Sequence, residues 1–242
     1  MLPYPHRCTD PLIYSRSGHS KRIGVFIDRD GTLIEEKHYL HRISDMKFLP
    51  GIVSGLRKLT SIGMSLYLFT NQAGIAHGHF DEATLAAIHH HLLRQLRAVG
   101  IGFRGLLYCP HHPEAEISTY RCDCGGRKPK ADLLFQAALY DRVNLAKSFV
   151  IGDKLGDIVA GKKAGTKTIL VLTGYGRQEA ANIAENSLPD YIAPNLAAAI
   201  HWVISQSSCG PDNPFRGEEL VDKIADPQDI GSCTRKNKQY LR

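Results

Sequence analysis

The chain has 242 residues, 43% of them apolar, and a formal net charge of +6. That length suits one domain with tails or a small insertion, and the apolar share is ordinary for a globular protein with a sizeable core. The basic residues are scattered and form no stripe, which speaks against a nucleic-acid surface and for an enzyme acting on a phosphorylated anion.

Residues before about Arg22 are rich in Pro, Ser, His and Arg without a period, so residues 1–21 read as a loose leader. Residues 23–27 form a short apolar run that ends in acidic residues, as a buried strand does. Ile52, Leu56 and Leu59 give residues 51–62 helical spacing, and Gly63 stops it. Residues 65–70 read as a second strand. Leu85, Ile88, Leu92, Leu96 and Val99 make residues 81–99 a helix, closed by Gly100. A third strand is expected at 105–108, then a loop at 109–130 full of Cys, His, Pro and Gly. Further on come a helix at 131–140, a strand at 148–151, a helix at 157–164, a strand at 168–172 and a helix at 195–204. Strands alternating with helices predict an α/β fold, a parallel sheet covered on both faces. The domain therefore spans 22–204, and residues 205–242 read as a tail, disordered or weakly attached.

Asp28-Arg29-Asp30-Gly31-Thr32-Leu33 follows the first strand directly. Ligands of open parallel sheets bind at the carboxyl ends of strands. Two carboxylates two residues apart on extended chain point the same way. One can attack phosphorus while the other handles the leaving-group proton. Their repulsion calls for a hard cation such as magnesium. Gly31 permits the turn that brings backbone N–H groups to a phosphate. Thr70, Asn71 and Gln72 end the second strand with donors suited to a phosphoryl oxygen. Arg127 and Lys128 precede a helix and can hold phosphate. Asp153, in Gly152-Asp153-Lys154, ends the fourth strand and is expected to ligate magnesium.

Six cysteines are present, and Cys109, Cys122 and Cys124 fall close together with His111. This is metal spacing and not a disulfide framework. Two thiolates, a third and an imidazole close a zinc tetrahedron, so a structural zinc is expected to pin the loop. His112 is the weaker ligand candidate. Cys8, Cys209 and Cys233 receive no role. His89, His90 and His91 lie on a helix, where three consecutive residues share no face, and are expected at the surface. No stretch approaches the roughly 18–20 apolar residues of a membrane span, and no signal-peptide core is evident. The expected compartment is the reducing cytoplasm.

Asp-Arg-Asp-Gly-Thr, Thr-Asn-Gln-x-Gly-Ile-Ala, Cys-x-His-His-Pro, Cys-x-Cys, Arg-Lys-Pro-Lys and Gly-Asp-Lys together resemble the D-glycero-D-manno-heptose 1,7-bisphosphate 7-phosphatase family, a branch of the haloacid dehalogenase superfamily. The resemblance runs from about Arg22 to Ile204. It implies a Rossmann-like parallel sheet without a large cap, a small phosphorylated sugar as substrate, a monomer, and a place in heptose supply for surface polysaccharide such as lipopolysaccharide. It assigns Asp28 as nucleophile and Asp30 as general acid/base. Magnesium goes to Asp28, the backbone carbonyl of Asp30, and Asp153. Thr70 and Lys128 steady the phosphoryl group, Arg127 recognises the second phosphate, and Lys154 touches substrate. Residues 36–39, with Glu36 and Tyr39, match the family's substrate segment loosely. Two departures stand out. His77 occupies a position where the family pattern has arginine, and Gly125 and Gly126 separate Cys124 from the basic pair. The glycines either shift Arg127 by several ångströms or bulge and leave Arg127 and Lys128 in place.

Histidinol-phosphate phosphatase is similar in the acid turn and the zinc loop, but its loop between histidine and Cys-x-Cys is shorter. A zinc-stabilised binding module without activity would bind phosphate without turnover, and a nucleic-acid binder would show salt-sensitive affinity.

Overall fold

The structure, a computed structural model, describes residues 21–208. Nearly all of the expected leader and tail, with Cys8, Cys209 and Cys233, lies outside the described residues. The chain divides into two compact units, up to His201 and from Trp202. The first holds the whole sheet, and the second is described only as the end of the last helix.

Six parallel strands form one sheet in the order β3-β2-β1-β4-β5-β6. They are β1 (Gly24–Ile27), β2 (Ser65–Asn71), β3 (Phe103–Cys109), β4 (Phe149–Gly152), β5 (Lys167–Val171) and β6 (Tyr191–Ala193). The helices are α1 (Ile52–Ser61), α2 (Glu82–Ala98), α3 (Asp132–Tyr140), α4 (Leu155–Lys163), α5 (Gly176–Ala180) and α6 (Leu196–Ser208). Every residue of β1 and β4 is buried, as expected of central strands covered on both faces. Phe26 stacks on Tyr67 with ring centroids 4.8 Å apart and meets Phe69 edge-on at 6.4 Å. Truncating one such buried side chain to alanine costs about 3–5 kcal/mol.

The helix ends follow local chemistry. The Asp81 carboxylate accepts the Thr84 N–H at 2.7 Å and caps α2. The Asn195 side chain accepts the Ala198 N–H at 2.9 Å before α6. Ile52, Leu56 and Leu59 form the buried stripe of α1.

The chain winds outward from β1 in both directions, to β2 and β3 on one side and β4 to β6 on the other. The switch point lies between β1 and β4, where such folds bind ligands beyond the carboxyl ends of the strands. Between β1 and α1, and between β3 and α3, the described chain holds only short 3-10 turns and isolated bridges, so no cap is inserted. The reading of strands and helices in chain order holds, with ends displaced by a few residues. Two elements escaped it. β6 has three residues and α5 has five, too short to show a period.

Candidate active site

Asp28 leaves β1 with its backbone N–H still bonded to the Ile151 carbonyl of β4 at 2.9 Å. The chain then turns sharply. Leu33 and Ile34 both donate to the Arg29 carbonyl at 3.0 Å, and Gly31 sits at φ +76°. A Cβ on Gly31 would lie 2.2 Å from Asp153 Oδ2, so this position needs glycine for both space and conformation. Asp153 follows β4 at the neighbouring strand end. Its Oδ2 accepts the Tyr175 N–H at 2.8 Å, while its Oδ1 is buried without a hydrogen-bond partner.

Asp28, Asp153 and Asp157 bring one carboxylate oxygen each to within 4.8 Å of one another. Asp157 belongs to the first turn of α4, where its Oδ2 also accepts the Lys154 N–H at 3.2 Å. Lys128 Nζ lies 2.9 Å from Asp28 Oδ1, 2.5 Å from Asp157 Oδ1 and 3.0 Å from the Phe69 carbonyl oxygen, so all its donors are used. Burial pushes Asp153 up to about 8, and the charges of Asp28 and Asp157 add to it. Burial also pushes Asp157 up to about 6, against the pull of Lys128. Burial would lower Lys128, but Asp157 and Asp28 outweigh it and raise it. Three crowded carboxylates, one with an orphaned buried oxygen, fit a divalent cation: it would satisfy Asp153 Oδ1 and let the group ionise.

Thr70, in β2, is buried, and its hydroxyl accepts from Gln72 Nε2 at 2.9 Å. Asn71 grips the Lys128 backbone: its amide nitrogen donates to the Lys128 carbonyl and its oxygen accepts the Lys128 N–H, both at 3.1 Å. Lys154 Nζ sits 3.4 Å from Glu36 Oε2 and 4.6 Å from the centre of the Tyr175 ring. Burial would lower Lys154, yet Asp28, Asp153 and Glu36 hold it above the usual lysine value. Tyr39 is half exposed and stacks on His79 with ring centres 4.0 Å apart.

Cys109, His111 and Cys124 are buried and bring their ligand atoms within 4.8 Å of one another. The chemistry of this set suits zinc. Cys122 stands outside that cluster, partly exposed, and neighbours Cys124, whose charge joins burial in raising the Cys122 thiol. Gly125 and Gly126 form a tight turn. The Arg127 N–H donates to the Cys124 carbonyl at 3.1 Å, and a Cβ on Gly125 would lie 1.8 Å from Asp132 Oδ2. The glycine turn leaves Lys128 within reach of Asp28, and Arg127 Nη1 donates to the His111 carbonyl at 3.2 Å.

A HAD-hydrolase-like family model matches residues 126–199. A D-glycero-beta-D-manno-heptose-1,7-bisphosphate 7-phosphatase of Photorhabdus laumondii is 40% identical over 172 residues, covering 69% of this chain and 91% of that protein. The chain belongs to the heptose-1,7-bisphosphate 7-phosphatase family. Its Thermosynechococcus vestitus relative, named D-glycero-D-manno-heptose-1,7-bisphosphate 7-phosphatase, is 36% identical over 187 residues, 75% of this chain and 95% of the other. Among solved structures, the D,D-heptose 1,7-bisphosphate phosphatase of B. bronchiseptica, complexed with magnesium and phosphate, superposes with a TM-score of 0.67 at 32% identity. That match covers 77% of this chain and 99% of the other.

Beyond the family's motifs, the site contains residues to which the sequence assigned no role in it. Asp157 joins the acid cluster; its place four residues after Asp153, at a helix start, was the available signal. His89 was expected at the surface and is instead buried, 4% exposed. His90 and His91 do point elsewhere, but His89 falls one turn from Leu85 and from Leu93 on the buried stripe of α2. Arg29, between the two acids, is 1% exposed and bonds to Asp30, Gln72 and His89.

Proposed function

We propose that this chain removes the 7-phosphate of D-glycero-D-manno-heptose 1,7-bisphosphate through a phosphoenzyme on Asp28. The observation that carries the reading is the buried cluster of Asp28, Asp153 and Asp157 at the switch point of the sheet, with Lys128 2.9 Å from Asp28. The Asp28 carboxylate attacks phosphorus in line, and the bond from phosphorus to the sugar oxygen breaks. Asp30 gives its proton to that oxygen. Asp30 then takes a proton from water as the water attacks the aspartyl phosphate, which frees phosphate and restores the Asp28 carboxylate. Lys128 and the Thr70 hydroxyl steady charge on the phosphoryl oxygens. Arg127, Lys154, Glu36 and Tyr39 line the approach and serve the rest of the sugar phosphate.

Asp28, the Asp30 carbonyl and Asp153 would hold magnesium, which when bound neutralises charge on the transferring group. Cys109, His111 and Cys124, with Cys122 as the fourth ligand, would hold a structural zinc. Residues 22–204 form the catalytic domain, working as a monomer in a reducing cytoplasm. No helix among the described residues is long and apolar enough to cross a membrane.

The test is phosphate release with magnesium from both heptose 1,7-bisphosphate anomers, histidinol phosphate and an aryl phosphate, with Asp28→Asn alongside. Turnover concentrated on one heptose bisphosphate and absent from the variant is expected. Preference for histidinol phosphate would overturn the substrate assignment while leaving the mechanism. Phosphate binding without turnover of any member of the panel would overturn both.

A further inference from the structure

The chemistry proposed for Asp30 asks for a carboxyl group that stays in place while it gives and takes a proton. The structure surrounds that carboxyl with side chains from three parts of the chain, Arg29, Gln72 and, behind them, His89. Arg29 Nε lies 3.1 Å from Asp30 Oδ2 and 3.2 Å from Oδ1, and its Nη2 lies 2.9 Å from Oδ2. Gln72 Nε2 donates to Asp30 Oδ2 at 2.9 Å, and Gln72 Oε1 accepts from Arg29 Nη2 at 2.9 Å. The far side of the guanidinium meets His89 Nε2, with Nη1 at 3.0 Å. His89 comes from α2 and lies edge-on to the Tyr108 ring of β3 at 5.9 Å.

This arrangement fixes the chemistry of His89. Arginine can only donate, so Nε2 is the acceptor and the ring proton sits on Nδ1. A protonated imidazole would set two donors face to face. Burial, and then the Arg29 charge, hold His89 well below the usual histidine value, which agrees with a neutral ring. A buried guanidinium is expensive to desolvate, and apolar side chains of similar size would fill the same space at less cost. Its presence beside Asp30 points to a use that packing alone does not supply.

We infer that Arg29, Gln72 and His89 are positioning residues for Asp30: His89 and Gln72 fix the guanidinium, and the guanidinium and Gln72 fix the carboxyl that exchanges the proton. None of the three needs to touch substrate. The amide of Gln72 is committed at both ends inside the protein, so its part is to orient Asp30 and the Thr70 hydroxyl, in place of direct substrate binding. The inference rests on the assignment of Asp30 as general acid/base.

The test uses the full chain with magnesium and two variants of His89. His89→Leu fills the space but leaves Arg29 Nη1 without its acceptor. His89→Gln returns an acceptor oxygen near the place of Nε2. Arg29→Lys keeps the charge, loses the fork, and stands in for His89→Leu should that variant fail to fold. Two reactions are followed. Loss of a sugar alkoxide needs the Asp30 proton, whereas the burst of 4-nitrophenolate from 4-nitrophenyl phosphate does not. His89→Leu and Arg29→Lys are expected to lower kcat on the sugar phosphate by about 10–100-fold, less than the roughly 10²–10⁴-fold a general acid/base carries, because Asp30 is displaced and not removed. KM and the nitrophenolate burst rate stay near wild type, and His89→Gln recovers most of kcat. Equal loss in both reactions, failure of His89→Gln to recover, or full activity in His89→Leu would overturn the inference. If the wild type ignores heptose bisphosphates but cleaves another alkyl phosphate such as histidinol phosphate, the substrate reading fails alone. The same comparison of alkyl with aryl ester then decides the role of His89.

Discussion

The acid cluster and the cysteine–histidine cluster draw their side chains from different kinds of chain. Asp28 and Asp153 stand immediately beyond β1 and β4, two paired central strands, so the sheet itself places them. Cys109 ends β3, but His111 and Cys124 come from the stretch between β3 and α3, whose own structure is one 3-10 turn and a few backbone bonds. The first cluster is assembled by the fold and strains it, because burial and neighbouring acids raise Asp153 and Asp157. The second, once metallated, would assemble its own surroundings. The two meet through Lys128, which the loop delivers to Asp28.

That contrast is sharpest in loss of function without loss of fold. Asp28→Asn is expected to lower kcat on the order of 10⁴-fold or more, as removal of the proposed nucleophile would. Asp153→Asn is expected to cost about 10²–10³-fold. Neither should lower the melting temperature of the metal-free protein: Asp28→Asn relieves repulsion among the acids while Lys128 keeps Asp157, and Asp153→Asn replaces a carboxyl that already holds a proton below about pH 8. Calorimetry in the presence of a chelator checks this, and a drop of several degrees in either variant would show the acid cluster to be a stabilising element after all.

Cys124→Ser should behave in the opposite way. The proposed structural zinc would lose a ligand, freeing the loop and with it Lys128. The melting temperature is expected to fall by on the order of 5–10 °C, and kcat by about 10²-fold. Zinc content measured on the purified variant should fall in step. Full zinc content with unchanged melting would remove the distinction drawn between the two clusters.

The acid cluster also sets a pH dependence of defined sign. Asp153 titrates near 8 in the folded, metal-free protein, and near 3.9 in an unfolded chain. Between those values the folded state holds a proton that the unfolded state lacks, so stability falls as pH rises from about 4 to about 8. Asp157 adds to the slope from about 4 to about 6. With a chelator present, melting should therefore be lower at pH 8 than at pH 5, and Asp153→Asn should flatten the difference. Magnesium should raise the melting temperature more at pH 8, where protons no longer compete for the carboxylates. An equal rise at both pH values would mean that the cation does not displace protons from Asp153.

The same contrast explains what was legible in the sequence. Strand-end residues were readable because apolar runs announce where strands stop, and Asp28, Thr70 and Asp153 each follow such a run. Lys128 was found by motif context, although its contacts with Asp28 and Asp157 depend on how the glycine turn closes. His89 was missed because a run of three histidines reads as one feature, while only the first of them falls on the stripe of Leu85, Leu92 and Leu96. Arg29 was missed because a charged residue between two acids reads as solvated, and nothing local reveals that an imidazole 60 residues away will face it. β6 and α5 lacked the length to show a period.

The smallest effect is expected where the loop is least closed. Cys109, His111 and Cys124 already converge, whereas Cys122 is partly exposed and outside their circle. A zinc tetrahedron needs a fourth ligand, and Cys122 is the free thiol beside Cys124 that a short movement of loop backbone brings in. Cys122→Ser is then expected to weaken zinc retention by about 10–100-fold, comparable with loss of a supporting contact, since three ligands remain and water can take the fourth position. The melting temperature should drop by less than half the drop in Cys124→Ser, and kcat should stay within about three-fold of wild type because Lys128 remains tied to Asn71. Competition with a chromogenic zinc chelator reads the affinity directly. Retention equal to wild type would exclude Cys122 from the metal shell and turn attention to His112, the neighbour of His111 in sequence. Complete loss of zinc would mean that the three converging ligands do not hold the metal by themselves, and that Cys122 closes the site as firmly as the buried cysteines do.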